Sequence, residues 1–167
     1  MPARIVPHRE ILGMSAVLLP FTREGDIDWR ATEAHIARTH AAGLRPAVNM
    51  DTGYVQLLDG DTRSRVLDLA AATVEHSAFV AGAFVADKAG DPVDIDAYKQ
   101  AALDIAERGG TPVIFPSHGL NALGETGMED EWLTALLKIA QEVDEFIGFE
   151  LGAMFVPYGR IYSLESF

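Results

Sequence analysis

The 167 residues are 49% apolar and include no cysteine, so we expect one folded domain over residues 1–167 without disulfides or thiolate metal sites. A formal net charge of −12, from 13 basic and 25 acidic residues, argues against nucleic acid and anionic membranes as partners. The longest early apolar run, Ile11 to Phe21, is too short to span a bilayer, and we expect a cytoplasmic protein.

Apolar and amphipathic segments alternate along the chain, with one strand and one helix in about every 35 residues. The predicted strands are Leu12–Leu19, Pro46–Met50, Phe79–Ala86, Pro112–Pro116 and Phe146–Leu151. The predicted helices between them are Asp28–Ala42, Asp61–His76, Ile95–Arg108 and Glu129–Val143. Asp28 and Asp94 are the expected N-caps, and Gly43 and Gly109 follow the expected helix ends.

The predicted strands are nearly continuous apolar runs, which is typical of a parallel sheet covered on both faces. Nine elements in this order suit two α/β folds. One is a (β/α)8 TIM barrel of which about the first five βα units are present. The other is a five-stranded doubly wound sheet, which the chain length alone favours.

The turn Asn49-Met50-Asp51-Thr52-Gly53-Tyr54 follows the second predicted strand. Chemistry in α/β folds lies at the carboxyl ends of the strands, so Thr52 can offer a hydroxyl to a ligand there. Gly53 lets backbone N–H groups turn towards a ligand carboxylate. The alternative interpretation is a plain connection between strand and helix.

From Gly13 onward the chain resembles the dihydrodipicolinate synthase and N-acetylneuraminate lyase family. The segments that carry the resemblance are Gly13 to Asp28, Met50 to Tyr54, Ala81 to Ala83 and Phe115 to His118. In the second segment Met-Asp-Thr-Gly-Tyr stands against the family's Gly-Thr-Thr-Gly-Glu. The resemblance implies a class I aldolase-type TIM barrel, of which this chain would be the N-terminal part.

The resemblance also implies a lyase that forms or cleaves a carbon–carbon bond of a small 2-oxo acid, without a cofactor and as a homo-oligomer. The family's Schiff-base lysine ends strand 6, which is expected beyond residue 167. Lys99 and Lys138 fall within predicted helices, where a solvated role is expected. Lys88 follows the third strand and is the one lysine that could substitute, although a loop role is favoured.

Carried over by position, Thr52 and Gly53 match the part of the family turn that holds the substrate carboxylate. Asp51 stands in place of a threonine of the family's hydroxyl relay, where it could act as a base or cap a turn. Ser117 and His118 replace two tyrosines, so Ser117 is expected at the substrate. His118 could shuttle protons, or it could simply bond a loop carbonyl.

After the fifth strand the match to the family is weakest. Arg160 could bind a substrate carboxylate through its fork of donors, or it could form an ion pair with Glu150.

Two other functions stay open. Asp51, Asp87, His118 and Glu150 all fall near the carboxyl ends of predicted strands, which permits a divalent-metal-dependent aldolase or isomerase. No His-x-x-x-His spacing supports a metal site, and none is assigned. The third function is a truncated barrel without catalysis.

Overall fold

The computed structural model describes residues 7–8, 10–74, 78–123, 129–159 and 161. Its strands are β1 (Met14–Ala16), β2 (Arg45–Val48), β3 (Val80–Ala83), β4 (Thr111–Ile114) and β5 (Ile147–Gly148). Its helices are α1 (Trp29–Ala41), α2 (Gly60–Thr73), α3 (Ile95–Ala106), α4 (His118–Ala122) and α5 (Glu129–Ala140). Two short 3-10 turns, Asp51–Gly53 and Val55–Leu57, lie between β2 and α2.

The five strands form one sheet in the sequential order β1-β2-β3-β4-β5, and every neighbouring pair is parallel. Ala47 on β2 pairs with Ala16 on one side and with Val80 on the other, which fixes the register of the first three strands. A doubly wound sheet would have a strand order that reverses at a switch point. The sheet is therefore a curled half-barrel, and the doubly wound alternative is wrong.

Successive strand residues point to opposite faces of the sheet and build two apolar cores. Val48, Ala81 and Ile114 pack with helix residues such as Ile36 and Ile105 in the larger core. The opposite, concave face carries a second cluster formed by Ala47, Met50, Val55, Val80, Val113, Phe115, Leu151 and Val156. Residues that follow β5 contribute to this cluster, so the chain after the last strand folds back over the concave face.

Side-chain caps explain where the long helices begin. The carboxylate of Asp28 accepts a hydrogen bond from Ala31 N–H, and that of Asp94 accepts one from Ala97 N–H, so both predicted N-caps are confirmed. The N-cap of α2 is Asp59, which accepts from Thr62 N–H at 2.7 Å. This helix therefore starts before the predicted Asp61.

Gly43 and Gly109 follow the ends of α1 and α3 with φ of 78° and 77°. This left-handed backbone is the reason for glycine at both positions.

Several predicted boundaries are corrected. β1 covers three residues instead of Leu12–Leu19, because its pairing with β2, the one described strand beside it, ends at Ala16. β5 covers only two residues, so Glu150 lies beyond the strand in which it was expected. Helix α4 was not predicted, since five residues are too few to show a helical pattern. The predicted end of the second helix at His76 lies outside the described residues.

Within the described ranges, none of the helices combines the length and the apolar character needed to cross a bilayer.

Candidate functional site

The turn after β2 forms a compact structure held by its own backbone. Gly53 N–H donates to the Met50 carbonyl at 3.0 Å, and Tyr54 N–H donates to the Asp51 carbonyl at 2.9 Å. Two of the backbone N–H groups of the turn, those of Gly53 and Tyr54, are thus used inside it rather than facing a ligand carboxylate, the role expected of the N–H groups here. A Cβ on Gly53 would lie 3.3 Å from the Val17 carbonyl oxygen, so glycine here allows the close approach of the turn to β1's end.

The exposed side chain of Thr52 and the backbone of Gly53 line a groove of about 680 Å³. Leu18 and Phe21, from the loop after β1, add apolar side chains to its lining. Tyr54, which is exposed and has a φ of 56°, borders the same groove. Thr52 therefore presents a hydroxyl at the carboxyl end of β2 within mainly apolar surroundings. Asp51 begins the first 3-10 turn and is half-buried.

Ser117 lies at the end of the segment that follows β4 and caps α4. Its Oγ accepts a hydrogen bond from Leu120 N–H at 3.2 Å, and the residue is only 1% exposed. Ser117 therefore has a structural use as the N-cap that fixes the start of the helix. His118 is the first residue of that helix, and its half-buried ring packs against the ring of Tyr158 with centroids 4.4 Å apart.

Asp87, from the loop after β3, holds the start of α4 in place. Its two carboxylate oxygens accept hydrogen bonds from His118 N–H at 2.9 Å and Gly119 N–H at 2.7 Å. Gly119 has no room for a Cβ, which would collide with the backbone of Pro92 and Val93. The negative charge also suits the first N–H groups of a helix. Residues from two strand ends thus determine the position of His118.

His118, Asn121 and Tyr158 line a cleft of about 260 Å³ beside Gly90. The side-chain amide of Asn121 donates to the Tyr158 carbonyl, which joins α4 to the segment after β5. Burial raises the pKa of the Tyr158 phenol above 10.0, and the nearby Asp87 carboxylate raises it further. The phenol therefore stays protonated at neutral pH.

The structure separates the predicted site residues into two groups. Thr52 and Gly53 line the groove beside β1, whereas His118 lines the cleft beside Tyr158. Arg160 lies outside the described residues.

The sequence does not predict two residues that surround His118: Asp87, which binds its backbone N–H, and Tyr158, whose ring packs against it. From the sequence Asp87 is a candidate metal ligand only, and Tyr158 has no predicted role. A strand-end position was the available signal for Asp87. Tyr158 follows a strand of two residues, and its segment shows no periodicity that would align it with β4.

Two of the three lysines lie on helices, as predicted, and the third lies in a loop. Lys99 on α3 forms an ion pair with Glu142 at 2.9 Å, and Lys138 on α5 is exposed. Lys88 is exposed in the loop after β3, and its backbone N–H donates to the Asp91 carboxylate. The His, Asp and Glu side chains of the described ranges include no group of three placed to hold a metal ion.

No protein-family model and no curated protein matches the chain. Solved structures do match it. YagE from E. coli K12, a prophage protein of the dihydrodipicolinic acid synthase family in complex with pyruvate, is 14% identical with a TM-score of 0.64. That match covers 86% of this chain and 46% of YagE.

Two further structures give the same result. Dihydrodipicolinate synthase from Agrobacterium tumefaciens is 19% identical with a TM-score of 0.59, covering 88% of this chain and 53% of that one. CdNal from Clostridium difficile, in complex with mannosamine, is 15% identical with a TM-score of 0.59. That match covers 89% of this chain and 52% of CdNal.

The chain spans about half the length of these structures. Its fold is that of a partial (β/α)8 TIM barrel and corresponds to the N-terminal part of the dihydrodipicolinate synthase type. The resemblance stated from the sequence is confirmed at the level of the fold.

Proposed function

We propose that the chain is the N-terminal half of an aldolase-type lyase that forms or cleaves a carbon–carbon bond of a small 2-oxo acid. The observation that carries this proposal is the curled, sequential half-barrel, which matches at a TM-score of 0.64 a structure in complex with pyruvate. Because a fold alone does not define chemistry, the residues at the strand ends must supply the rest of the argument.

Thr52 is the residue of this chain best placed to bind the substrate carboxylate. Its side chain is exposed at the carboxyl end of β2, the edge of the barrel at which such enzymes place their active sites. Since Gly53 N–H is used within the turn, the proposal assigns the contact to the Thr52 hydroxyl, with the neighbouring backbone shaping the groove.

The proposal assigns proton transfer to His118 and Asp51. His118 has a fixed position beside an open cleft, and an imidazole can both accept and donate a proton, which supports this role. The cleft is separate from the Thr52 groove, so the proposal requires that the completed barrel join the two cavities. Ser117 acts by fixing the start of α4, so its contribution to substrate binding would be through His118. Arg160 is retained as a second candidate for carboxylate binding, on the basis of its guanidinium chemistry alone.

In this proposal the Schiff-base lysine lies in a segment beyond residue 167, which would complete the barrel. Its neutral amine attacks the ketone carbon of the 2-oxo acid, and water leaves as the imine forms. The open sheet edges support assembly with further chain, and the proposal includes a cytoplasmic homo-oligomer.

Titration of the ¹⁵N-labelled chain with pyruvate tests the binding site by NMR. We expect the amide resonances of Thr52 and Gly53 to shift, and the Thr52→Val variant to lose the response. Thr134→Val, at an exposed position on α5, is the matched control and should respond like the wild type. Shifts confined to other regions, or none at all, would contradict the proposal.

Borohydride reduction in the presence of pyruvate, followed by mass spectrometry, tests the location of the lysine. The isolated chain should gain no adduct, because Lys99 is paired and Lys88 and Lys138 face solvent. A stable adduct mapped to Lys88 would instead make Lys88 the nucleophile.

A further inference from the structure

Asn49 is the first residue after β2 and has an unusual backbone conformation. Its φ is 51°, in the left-handed region, where asparagine is accepted more readily than other residues with a Cβ. The residue is only 5% exposed. The chain therefore turns out of the sheet at a buried, left-handed asparagine, two residues before Asp51.

The side chain of Asn49 connects this turn to helix α2. Its Nδ2 donates to the Arg63 carbonyl at 3.1 Å, and Arg63 Nη1 donates to the Leu58 carbonyl at 2.7 Å. The Arg63 guanidinium also lies 5.5 Å from the centre of the ring of Phe84, which directly follows the neighbouring strand β3. These contacts tie both ends of the segment that contains the two 3-10 turns.

Burial of the Asn49 side chain also has an unfavourable free-energy term. Its Oδ1 is buried, and no hydrogen-bond partner for it occurs among the described residues. Glycine would provide the left-handed backbone without that cost, and alanine would avoid the unpaired oxygen. Only the amide side chain combines tolerance of this backbone with a donor for the Arg63 carbonyl.

Strand β3, which lies next to β2, has a glycine where it approaches the Asn49 backbone. A Cβ on Gly82 of β3 would collide with the Asn49 carbonyl oxygen and with the ring of Phe115. Asn49 therefore occupies a fixed place between the exits of β2 and β3, and its backbone leads directly into the turn that presents Thr52.

We infer that Asn49 is the positioning residue of the Asp51–Gly53 turn: its left-handed backbone and its bond to Arg63 together hold the Thr52 hydroxyl in its binding orientation. The part of this inference that concerns ligand binding rests on the proposed function. The part that concerns the turn itself does not, because the turn can be measured without a ligand.

The test compares Asn49→Ala, which loses both features, with Asn49→Gly, which keeps the backbone freedom and loses only the side-chain bond. Hydrogen exchange of the Gly53 amide and the chemical shifts of residues 50–54 report on the turn in the absence of ligand. We expect Asn49→Ala to speed Gly53 exchange about tenfold relative to wild type, as the left-handed backbone becomes unfavourable. Asn49→Gly should have a smaller effect.

Val66→Ala is the control for loss of stability, because Val66 is a buried core residue of α2. It should lower the melting temperature while leaving the shifts of residues 50–54 unchanged. If Asn49→Ala behaves like Val66→Ala, with a lower melting temperature and an unchanged turn, Asn49 is an ordinary core residue and the inference is wrong.

Pyruvate titration of the same variants then separates the two proposals. A disturbed turn with about tenfold weaker pyruvate binding in Asn49→Ala supports both. A disturbed turn in Asn49→Ala, combined with no pyruvate response at Thr52 in the wild type, supports the positioning role and contradicts the proposed function. A disturbed turn with unchanged pyruvate affinity would overturn the role of Asn49 in presenting Thr52.

Discussion

Oδ1 of Asp87 accepts a hydrogen bond from the backbone N–H of His118 at 2.9 Å, and this contact joins the exits of β3 and β4. The carboxylate binds the neighbouring N–H of Gly119 as well, so a single loop residue satisfies two N–H groups at the start of α4. The position of the His118 ring beside Tyr158 therefore depends on a residue 31 positions earlier in the chain.

Asp87→Ala should lower the free energy of unfolding by about 2 kcal/mol, because two N–H groups at the start of α4 lose a charged acceptor. Urea denaturation measures the loss, and the ring resonances of His118 should move with it. Asp144→Ala, at an exposed carboxylate, is the control and should change stability little. Equal effects of the two substitutions would show that the Asp87 contacts do not stabilise the fold.

Gly82→Ala should be destabilising by about 2 kcal/mol or more, because the added Cβ meets the Asn49 carbonyl and the Phe115 ring. Gly148→Ala is a matched control on β5, where a Cβ would meet no atom within 4 Å. It should be neutral or slightly stabilising. Thermal unfolding of the two variants checks this pair, and a tolerated Gly82→Ala would show that β2 and β3 can separate at their exits.

The N-cap of α2 should make stability depend on acid pH. Hydrogen bonds from Thr62 lower the pKa of Asp59 below its usual 3.8. A lowered pKa in the folded state stabilises the fold at pH values above about 3.8, and this contribution is lost as the pH falls through the folded pKa. We therefore expect the difference in melting temperature between wild type and Asp59→Asn to shrink between pH 5 and pH 2, since asparagine caps the helix at either pH. A difference that is independent of pH would contradict this assignment.

The phenol of Tyr158 should ionise at a higher pH than an exposed tyrosine. Burial is the main cause and the Asp87 carboxylate the second, so Asp87→Asn should lower the pKa only part of the way towards 10.0. Because the folded pKa is raised, the contribution of this group to stability is complete below pH 10.0 and is lost as the pH rises through the folded pKa. Ultraviolet titration of the wild type and of Tyr158→Phe, taken as a difference, isolates the ionisation of the Tyr158 phenol. A pKa of 10.0 for this phenol would mean that the ring is solvated.

The sequence predicted the order of strands and helices because each long element has a local signal. Near-continuous apolar runs indicate buried parallel strands, and Asp28 and Asp94 are typical N-cap residues that indicate where α1 and α3 begin. The resemblance of the turn at Met50 to Tyr54 pointed to the barrel over the doubly wound sheet, and the sequential strand order agrees.

The arrangement of the candidate site was less predictable because it depends on contacts between distant segments. Helix α4 is stabilised by Ser117 and by Asp87. The residues around His118 in the sequence do not indicate that Asp87, from a distant loop, caps this helix. Thr52 and His118 line different cavities, and Leu151 and Val156, from the segment after β5, pack in the cluster on the concave face. No periodicity in the sequence specifies that packing.

The isolated chain should associate in solution through the open edge of β1. Among the strands that the structure describes, β1 pairs only with β2, so its other edge has no strand partner there, and Met14 on this strand is 45% exposed. Leu12 and Ile11 add exposed apolar surface next to the same edge. Open parallel edges with apolar neighbours are templates for pairing with another chain.

Sedimentation should therefore give a mass above the 18.1 kDa of one chain, increasing with concentration. Met14→Lys should reduce this association, since a charged side chain at an edge opposes pairing. Leu137→Lys tests whether replacing any exposed apolar residue reduces association. Leu137 is 56% exposed on α5, away from the β1 edge. If both variants lower the mass equally, general hydrophobic association explains the result. If the wild type sediments as a monomer at all concentrations, the β1 edge is protected, and the expected homo-oligomer would need another interface.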